Sequence, residues 1–576
     1  MLDQLSWKVG GQQGEGIDST GDTFSVALNR RGYFIYSYRH FSSRIKGGHT
    51  NSKIRVSTKS RLANSDQLDI LIAFDQETID FNAHELRDGG VVIADSKFNP
   101  KVPEGNYRLF SVPFTKIAEE CGSAIMKNMV ALGASACVLG LSSDIFADII
   151  SDKFLRKGQQ VVDQNMKAIQ LGIDYMTENG GVLPEFQLVP ADGKKRLYMS
   201  GNEAIGLGAL AAGARVMPAY PITPASDVME YLIKHFPKVG GVVLQTEDEI
   251  AAMTMAIGSS FAGARSLTAT SGPGLSLMME AIGLAGMIEA PVVIIDTQRG
   301  GPSTGLPTKN EQSDLYAVLF GTHGEIPKIV LAPSTAEECF YATADAFNYA
   351  DKYQCPVILI TDLALSLANQ TVEPLDYNKI SIDRGKIATP EQLAEVGAGQ
   401  LFKRYAFTED GISPRVFPGM KGGIHHVTGV EHNETGRPDE NAQNRIKMMD
   451  KRLAKLNNME LPNSVTYAGS ENPDVLIVGL GSTMGVIDEA LERFQAEGLN
   501  VAHAHVKVIS PFPAKTLNQY VGKAKKVVVV ENNATGQLLH LMKHFGVEHS
   551  AMTSYLRYDG NPFLPVQIFD HVKGLI

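Results

Sequence analysis

At 576 residues the chain is too long for one core, and at about 100–200 residues per domain it should hold three or four domains. Hydrophobic content of 44% and charged content of 20% are those of an ordinary globular protein, while a net charge of −10 argues against general nucleic-acid binding, which needs a basic surface. Met1 to Lys8 has no apolar core for a signal peptide, and the uncharged run Asn128 to Ser143 is too short for a membrane span, so the expectation is a cytoplasmic protein with no nucleic-acid and no membrane partner.

The chain opens on "SWKVGGQQGEGIDSTGDTF" (6–24), a strand that breaks into glycine and starts a helix. Such loops cradle phosphates. The glycines fall at 10, 11, 14, 16 and 21, which is not the dinucleotide spacing, and the next strand, around Tyr33 to Tyr38, ends at Arg39 rather than at an acid. A nicotinamide cofactor is therefore disfavoured. The first block continues to about residue 190, with "VVIADS" (91–96) as a strand and a helix near 115–140. The cysteines, at 121, 137, 339 and 355, form no C-x-x-C pair, so they read as buried thiols, and any iron–sulfur cluster must sit in another chain.

The second block begins at "MSGNEAIGLGALAAGARVMPAYPITP" and repeats strand–turn–helix units at "GVVLQTEDEIAAM", "SLTATSGPGLSLMMEAI" and "PVVIIDTQRGGPSTG". This alternation predicts a parallel, doubly wound sheet whose ligand site lies at the strand carboxyl ends. Each loop has a bland reading. Thr223 before Pro224 is an ordinary helix start, Thr246 and Glu249 form a T-x-x-E capping box, "TSGPG" is a turn, and Arg299 makes a surface salt bridge. One crevice explains all four together. Residues 371–465 break the pattern: "SPRVFPGMKGGIHHV" and the basic helix "NRIKMMDKRLAKL" read as a connection that wraps or contacts a partner. His425, His426 and His432 fit no zinc spacing and read as solvated loop histidines. "PDVLIVGLGSTMGVIDEAL" and "KKVVVVENNATGQLLHLM" open further strand–glycine–helix units in a third block.

The run "YPITPASDVMEYL", "EDEIAAMTMAIGSSFAGAR", "TATSGPGLSLMMEAIG" and "QRGGPSTGLPT" resembles the α subunit of 2-oxoacid:ferredoxin oxidoreductases. The likeness is to the 2-oxoglutarate type with a fused γ domain: "GGQQGEG" and "HFSSRIKGGHTNSKIRV" (40–56) resemble that γ domain, and "VEHNETG" and "VVVENNATGQL" the same α-subunit branch. The resemblance implies a γ domain over 1–190, a pyrimidine-type thiamine diphosphate-binding doubly wound sheet over 196–370, a connecting segment over 371–465 and a transketolase-C-like α/β domain over 466–576. It also implies oxidative decarboxylation of a 2-oxoacid with coenzyme A and ferredoxin. Pyruvate or a branched-chain 2-oxoacid is the alternative substrate, and a non-catalytic electron-transfer or assembly scaffold the alternative class.

By the same resemblance Glu249, placed by its distance to "AGA" (262–264), is the cofactor-activating carboxylate. Hydrogen-bonded to the aminopyrimidine, it helps that ring take the proton of the thiazolium carbon. Glu247 and Asp248 lie close enough for the assignment to slip. Gly272 and Gly274 join Glu249 at the cofactor. Thr223 and Arg299, with Tyr220, Pro221 and Ile222, match the substrate-binding positions, where a guanidinium fork suits a carboxylate. The cation for a second carboxylate is not identified. The G-D-G…N motif for magnesium and diphosphate is missing, which assigns Mg2+ and a [4Fe-4S] cluster to a β subunit in an (αβ)2 heterotetramer. Arg44, Lys46, Gly47 and Gly48 face the coenzyme A path, or are structural.

Overall fold

The computed structural model describes residues 1–41, 48–459 and 461–576. Arg44, Lys46 and Gly47 lie outside the described residues. The chain forms two units, one of Met1–Met199, Leu367–Pro374 and Leu564–Ile568, the other of Ser200–Ser366, Leu375–Phe563 and Phe569–Ile576.

The first unit is built on an eight-stranded sheet. Its order is Arg108–Val112, Leu86–Asp95, Leu68–Ala73, Gln4–Gln12, His49–Ser57, Phe34–His40, Asn369–Val372 and Leu197–Ser200. The first four run parallel, but His49–Ser57 pairs antiparallel with both Gln4–Gln12 and Phe34–His40. The reason is connection length. Residues 41–48 are too few for the crossover that a parallel pair requires, so Phe34–His40 and His49–Ser57 close as a hairpin. Trp7 anchors the core: its ring stacks on Phe24 at 4.4 Å between centroids, and its indole N–H donates to Ser135 Oγ at 3.1 Å.

The second unit holds two five-stranded sheets. In one, Leu267–Thr270, Val292–Gln298, Pro356–Asp362 and Ile329–Leu331 are parallel, and Val508–Ser510 adds an antiparallel edge. In the other, Val501–Val506, Val475–Leu480, Lys526–Glu531 and Met552–Leu556 are parallel, again with one antiparallel edge, Val465–Gly469. A short parallel pair, Val216–Ala219 with Val242–Gln245, stands beside the first sheet through a bridge between Val216 and Ser266. The apolar faces meet in one core that includes Leu275, Met278 and Ile294 from one layer and Leu476, Val529 and Leu538 from the other. Near-continuous apolar strands such as "VVII" and "VVVV" are what sheets covered on both faces demand. Gln312 ties the layers at their strand ends. Its side-chain amide donates to Asp362 Oδ2 at 2.8 Å and to Leu480 O at 2.9 Å, and its Oε1 accepts from Asn532 N–H at 3.1 Å.

The connecting segment buries several of its charges, and one expectation for it is corrected. In the basic helix, Ala442–Ala454, Arg445 and Lys447 are exposed, while the cations toward its C-terminal end turn inward. Lys451 and the following Lys455 are buried on the Glu289 carboxylate at 2.6 Å each, and Arg452 is buried on Glu431 at 2.6 Å. Burial disfavours the Glu289 charge, but the ammoniums of Lys455 and Lys451 outweigh it and hold that carboxyl well below the usual range. His432 is not solvated: it is fully buried against Tyr405, with ring centroids 4.2 Å apart, and its Nδ1 faces Val430 O at 3.0 Å. Among the described residues no helix is long and apolar enough to cross a membrane.

Candidate active site

Four loops leave the carboxyl ends of strands in the second unit, and local chemistry decides what each does. After Val216–Ala219 the chain runs through Tyr220, Pro221 and Ile222 to Thr223. The next helix, Ser226–His235, starts only after Ala225, so Thr223 is not its cap. After Val242–Gln245 the cap is Asp248, whose carboxylate accepts from Ala251 N–H at 2.8 Å. Thr246 instead donates its hydroxyl to Asp248 O at 2.8 Å. The expected T-x-x-E capping box is therefore absent. The consequence falls on Glu249: as the first helical residue it is relieved of capping, and it is nonetheless 6% exposed. Its neighbour Glu247 is exposed.

The third loop faces Glu249. "TSGPG" is no isolated turn; it starts the helix Gly272–Met287, with proline in its first turn. A methyl group at Gly274 would stand 2.1 Å from Thr270 Oγ1 and 2.6 Å from Glu249 Oε1. Only glycine admits the carboxylate that close to the helix start. On the fourth loop Arg299 is 7% exposed, not a surface salt-bridge residue. Its Nη1 donates to Thr223 O at 2.7 Å and its Nη2 to Thr304 O at 3.4 Å, while its buried Nε has no protein partner. The structure thus brings Arg299 to Thr223 and Glu249 to Gly274.

Two acids in the same place escape sequence reasoning. Asp296 ends an apolar run in the strand Val292–Gln298; it is fully buried, and neither carboxyl oxygen has a protein partner. Burial, with the nearby Asp314, drives its pKa well above the usual carboxylate range. Asp314 has its backbone N–H on Gln298 Oε1 at 3.0 Å and its Oδ2 unpartnered, and a methyl at Gly272 would meet that Oδ2 at 2.9 Å. Burial first, then the Glu311 charge, pushes Asp314 up to about 6 against the pull of Arg299. The signal available in the sequence was a lone acid inside "PVVIIDTQ", a strand otherwise fit for burial.

In the first unit the opening glycines have local tasks. Gly14 and Gly16 take φ of 99° and 81°, and Gly16 caps the helix Ile17–Asn29. The Glu15 carboxylate accepts from Gln12 N–H at 2.9 Å and pairs with Lys127 at 2.6 Å, so the loop is closed by an anion of its own. Gln13 N–H donates to Gly48 O at 3.2 Å, which joins this loop to the second glycine motif.

Three family models match the chain. That described as "Pyruvate ferredoxin/flavodoxin oxidoreductase" covers residues 6–175. "Pyruvate flavodoxin/ferredoxin oxidoreductase, thiamine diP-bdg" covers 207–451, and "Pyruvate:ferredoxin oxidoreductase core domain II" covers 473–568. The 2-oxoacid:ferredoxin oxidoreductase subunit alpha of Sulfolobus sp is 34% identical over 97% of this chain and 95% of its own. The chain belongs to the 2-oxoacid:ferredoxin oxidoreductase α-subunit family. Another member, the 2-oxoglutarate oxidoreductase subunit KorA of Mycobacterium tuberculosis, is 32% identical over 94% of this chain and 87% of its own. A solved member, the 2-oxoglutarate:ferredoxin oxidoreductase from Magnetococcus marinus with 2-oxoglutarate, coenzyme A and succinyl-CoA bound, matches with 37% identity and a TM-score of 0.92 over 100% of both chains. The multi-domain α/β architecture expected from the sequence is that of this family, and its middle part carries the family's thiamine diphosphate-binding domain.

Proposed function

We propose that this chain is the α subunit of an enzyme that decarboxylates 2-oxoglutarate oxidatively, forming succinyl-CoA and CO2 and reducing ferredoxin. The observation that carries the substrate is the end-to-end likeness to the Magnetococcus marinus enzyme with 2-oxoglutarate bound. A β subunit, in an (αβ)2 assembly, brings Mg2+ and the [4Fe-4S] cluster. The domain limits are those given by the resemblance, and the setting is the cytoplasm. The test is the α/β pair, copurified and assayed against 2-oxoglutarate, pyruvate and branched-chain 2-oxoacids with coenzyme A. A kcat/KM at least tenfold higher for 2-oxoglutarate is expected, and a preference for pyruvate would overturn the substrate.

Thiamine diphosphate fits the chemistry of the donor because Glu249 is a buried carboxylate that does not cap its helix and that Gly274 lets lie against the next helix start. When bound, it supplies the nucleophilic carbon and the electron sink for loss of CO2. Glu249 would hold a proton at a pyrimidine ring nitrogen, with Gly272 and Gly274 beside it at the cofactor. That Glu249 is buried and free of capping while Glu247 is exposed supports this choice between them. Thr223, Arg299, Tyr220, Pro221 and Ile222 orient the 2-oxoacid, with Arg299 taking a carboxylate. Coenzyme A passes Arg44, Lys46, Gly47 and Gly48, next to the loop joined by Gln13 and Gly48.

Arg299→Lys keeps the charge but loses the planar fork, including the donor that holds Thr223 O. The KM for 2-oxoglutarate is expected to rise about tenfold, with a smaller fall in kcat, because one side chain both binds and orients. Unchanged kinetics across the 2-oxoacid panel would remove Arg299 from the site.

A further inference from the structure

The helix Gly201–Ala211 has no part in the site described above, yet one of its side chains reaches the first loop. Its N-terminus is satisfied by its own neighbours. Ser200 Oγ accepts from Glu203 N–H at 3.2 Å, and Glu203 Oε2 accepts from Ser200 N–H at 3.1 Å. Asn202 is therefore free of the capping role that asparagine usually takes near a helix start. It is fully buried in a tight place, where a methyl on the preceding Gly201 would stand 2.5 Å from Leu365 O. There its Nδ2 donates to Pro224 O at 2.8 Å, while its Oδ1 has no partner among the described residues. A buried amide left half satisfied costs stability, so packing alone is a poor reason for it.

The bond completes a pattern around Thr223. Three successive carbonyls are each held by a different element: Ile222 O by Ser226 N–H at 3.0 Å, Thr223 O by Arg299 Nη1 at 2.7 Å, and Pro224 O by Asn202. With its own carbonyl and both neighbouring ones fixed, the backbone at Thr223 is fixed too, and with it the direction in which the side chain leaves. We propose that Asn202 is a positioning residue for the 2-oxoacid: by holding Pro224 O it aims the Thr223 hydroxyl at the substrate. This rests on the reading of Thr223 as a substrate-binding residue. Arg299 serves the substrate and the loop together, whereas Asn202 acts on the substrate through the loop. The reaction itself gains no new step; what depends on Asn202 is the affinity for 2-oxoacid and the pose in which it is held.

The experiment uses the copurified α/β enzyme and measures kcat and KM for 2-oxoglutarate and for coenzyme A. Asn202→Leu, close to asparagine in shape but without its donor, is expected to raise the KM for 2-oxoglutarate about fivefold with a smaller fall in kcat. The KM for coenzyme A should not move. Asn202→Ala removes the donor without added bulk; it should do the same, and it serves if leucine disturbs the packing. The deciding measurement is the cycle with Thr223→Val. Because Asn202 acts through Thr223, adding Asn202→Leu to Thr223→Val should leave the KM of Thr223→Val unchanged within about twofold. An unchanged KM in both Asn202 variants overturns the proposal, and so do effects that multiply in the double variant. A KM for coenzyme A that rises in step, or an Asn202→Ala chain that no longer copurifies with its partner, makes the residue structural and overturns it as well. Failure of the Thr223 reading is separate: it shows as Thr223→Val with an unaltered KM for 2-oxoglutarate.

Discussion

Glu249→Gln is expected to fold with its partner and lose at least about a hundredfold in turnover, the lower end of what one proton-handling side chain contributes. The structure makes the variant a clean one. The helix Glu249–Phe261 is capped by Asp248, so the amide of glutamine leaves the cap intact. What stability is lost is the charge at a helix N-terminus, about 0.5 kcal/mol. The substituted amide can hydrogen-bond to a pyrimidine nitrogen but cannot balance a proton there. Hydrogen–deuterium exchange at the thiazolium carbon of the copurified enzyme reads that step alone. Slow exchange in Glu249→Gln with normal exchange in Glu247→Gln is the expected pair of results, and the reverse pair would transfer the role to Glu247.

The largest effect on stability is expected from Glu289→Gln. One carboxylate receives Lys451 and Lys455, all three of them buried, while Arg404 donates to the Glu289 carbonyl at 2.8 Å. Removing the carboxylate charge leaves two ammoniums in the interior with no counter-ion, a change that costs about 3–5 kcal/mol. Denaturant unfolding should show a lower midpoint with little change in slope. The pH dependence follows from the direction of the Glu289 shift. Its folded pKa lies below the ordinary value of 4.5, so its contribution is complete above that value and is lost as pH falls through the folded one. The unmodified chain should therefore destabilise in acid more steeply than Glu289→Gln does. Equal acid sensitivity would mean that Glu289 is not the ionised centre of this cluster.

Much of the architecture was legible because strand–glycine–helix units announce parallel strands, and the four loop motifs stand where those strands end. Legibility failed where distant parts of the chain meet. The burial of Lys451 and Lys455 could not be read from the basic helix, because nothing near them in sequence names Glu289, about 160 residues earlier. His432 read as a loop histidine because the ring that covers it, Tyr405, is also remote in sequence. The capping box failed differently. Thr246 and Asp248 are both competent caps; the Thr246 N–H donates to Ala219 O at 3.0 Å and its hydroxyl to Asp248 O at 2.8 Å, and Asp248 serves as the cap. In the candidate site, motifs drew attention to Glu249 and Arg299, which the fold buries, whereas the unsatisfied state of Asp296 and Asp314 follows only from what the fold places around them.

The strand Asn369–Val372 has a bearing on how this protein is made. It lies in the first unit's sheet between Phe34–His40 and Leu197–Ser200, and Thr371 Oγ1 receives both Asn29 Nδ2 at 2.9 Å and Ile35 N–H at 2.8 Å. During translation, residues 1–199 leave the ribosome with Ile35 N–H and the edge of Phe34–His40 still unpaired, and the strand that completes the edge emerges more than 160 residues later. At about 5–20 residues per second that interval lasts on the order of ten to thirty seconds. An open strand edge invites pairing with a neighbouring nascent chain. Nascent chains of this protein should therefore depend on chaperones until residue 372 has left the exit tunnel, and their aggregation in cells should drop once that point is passed.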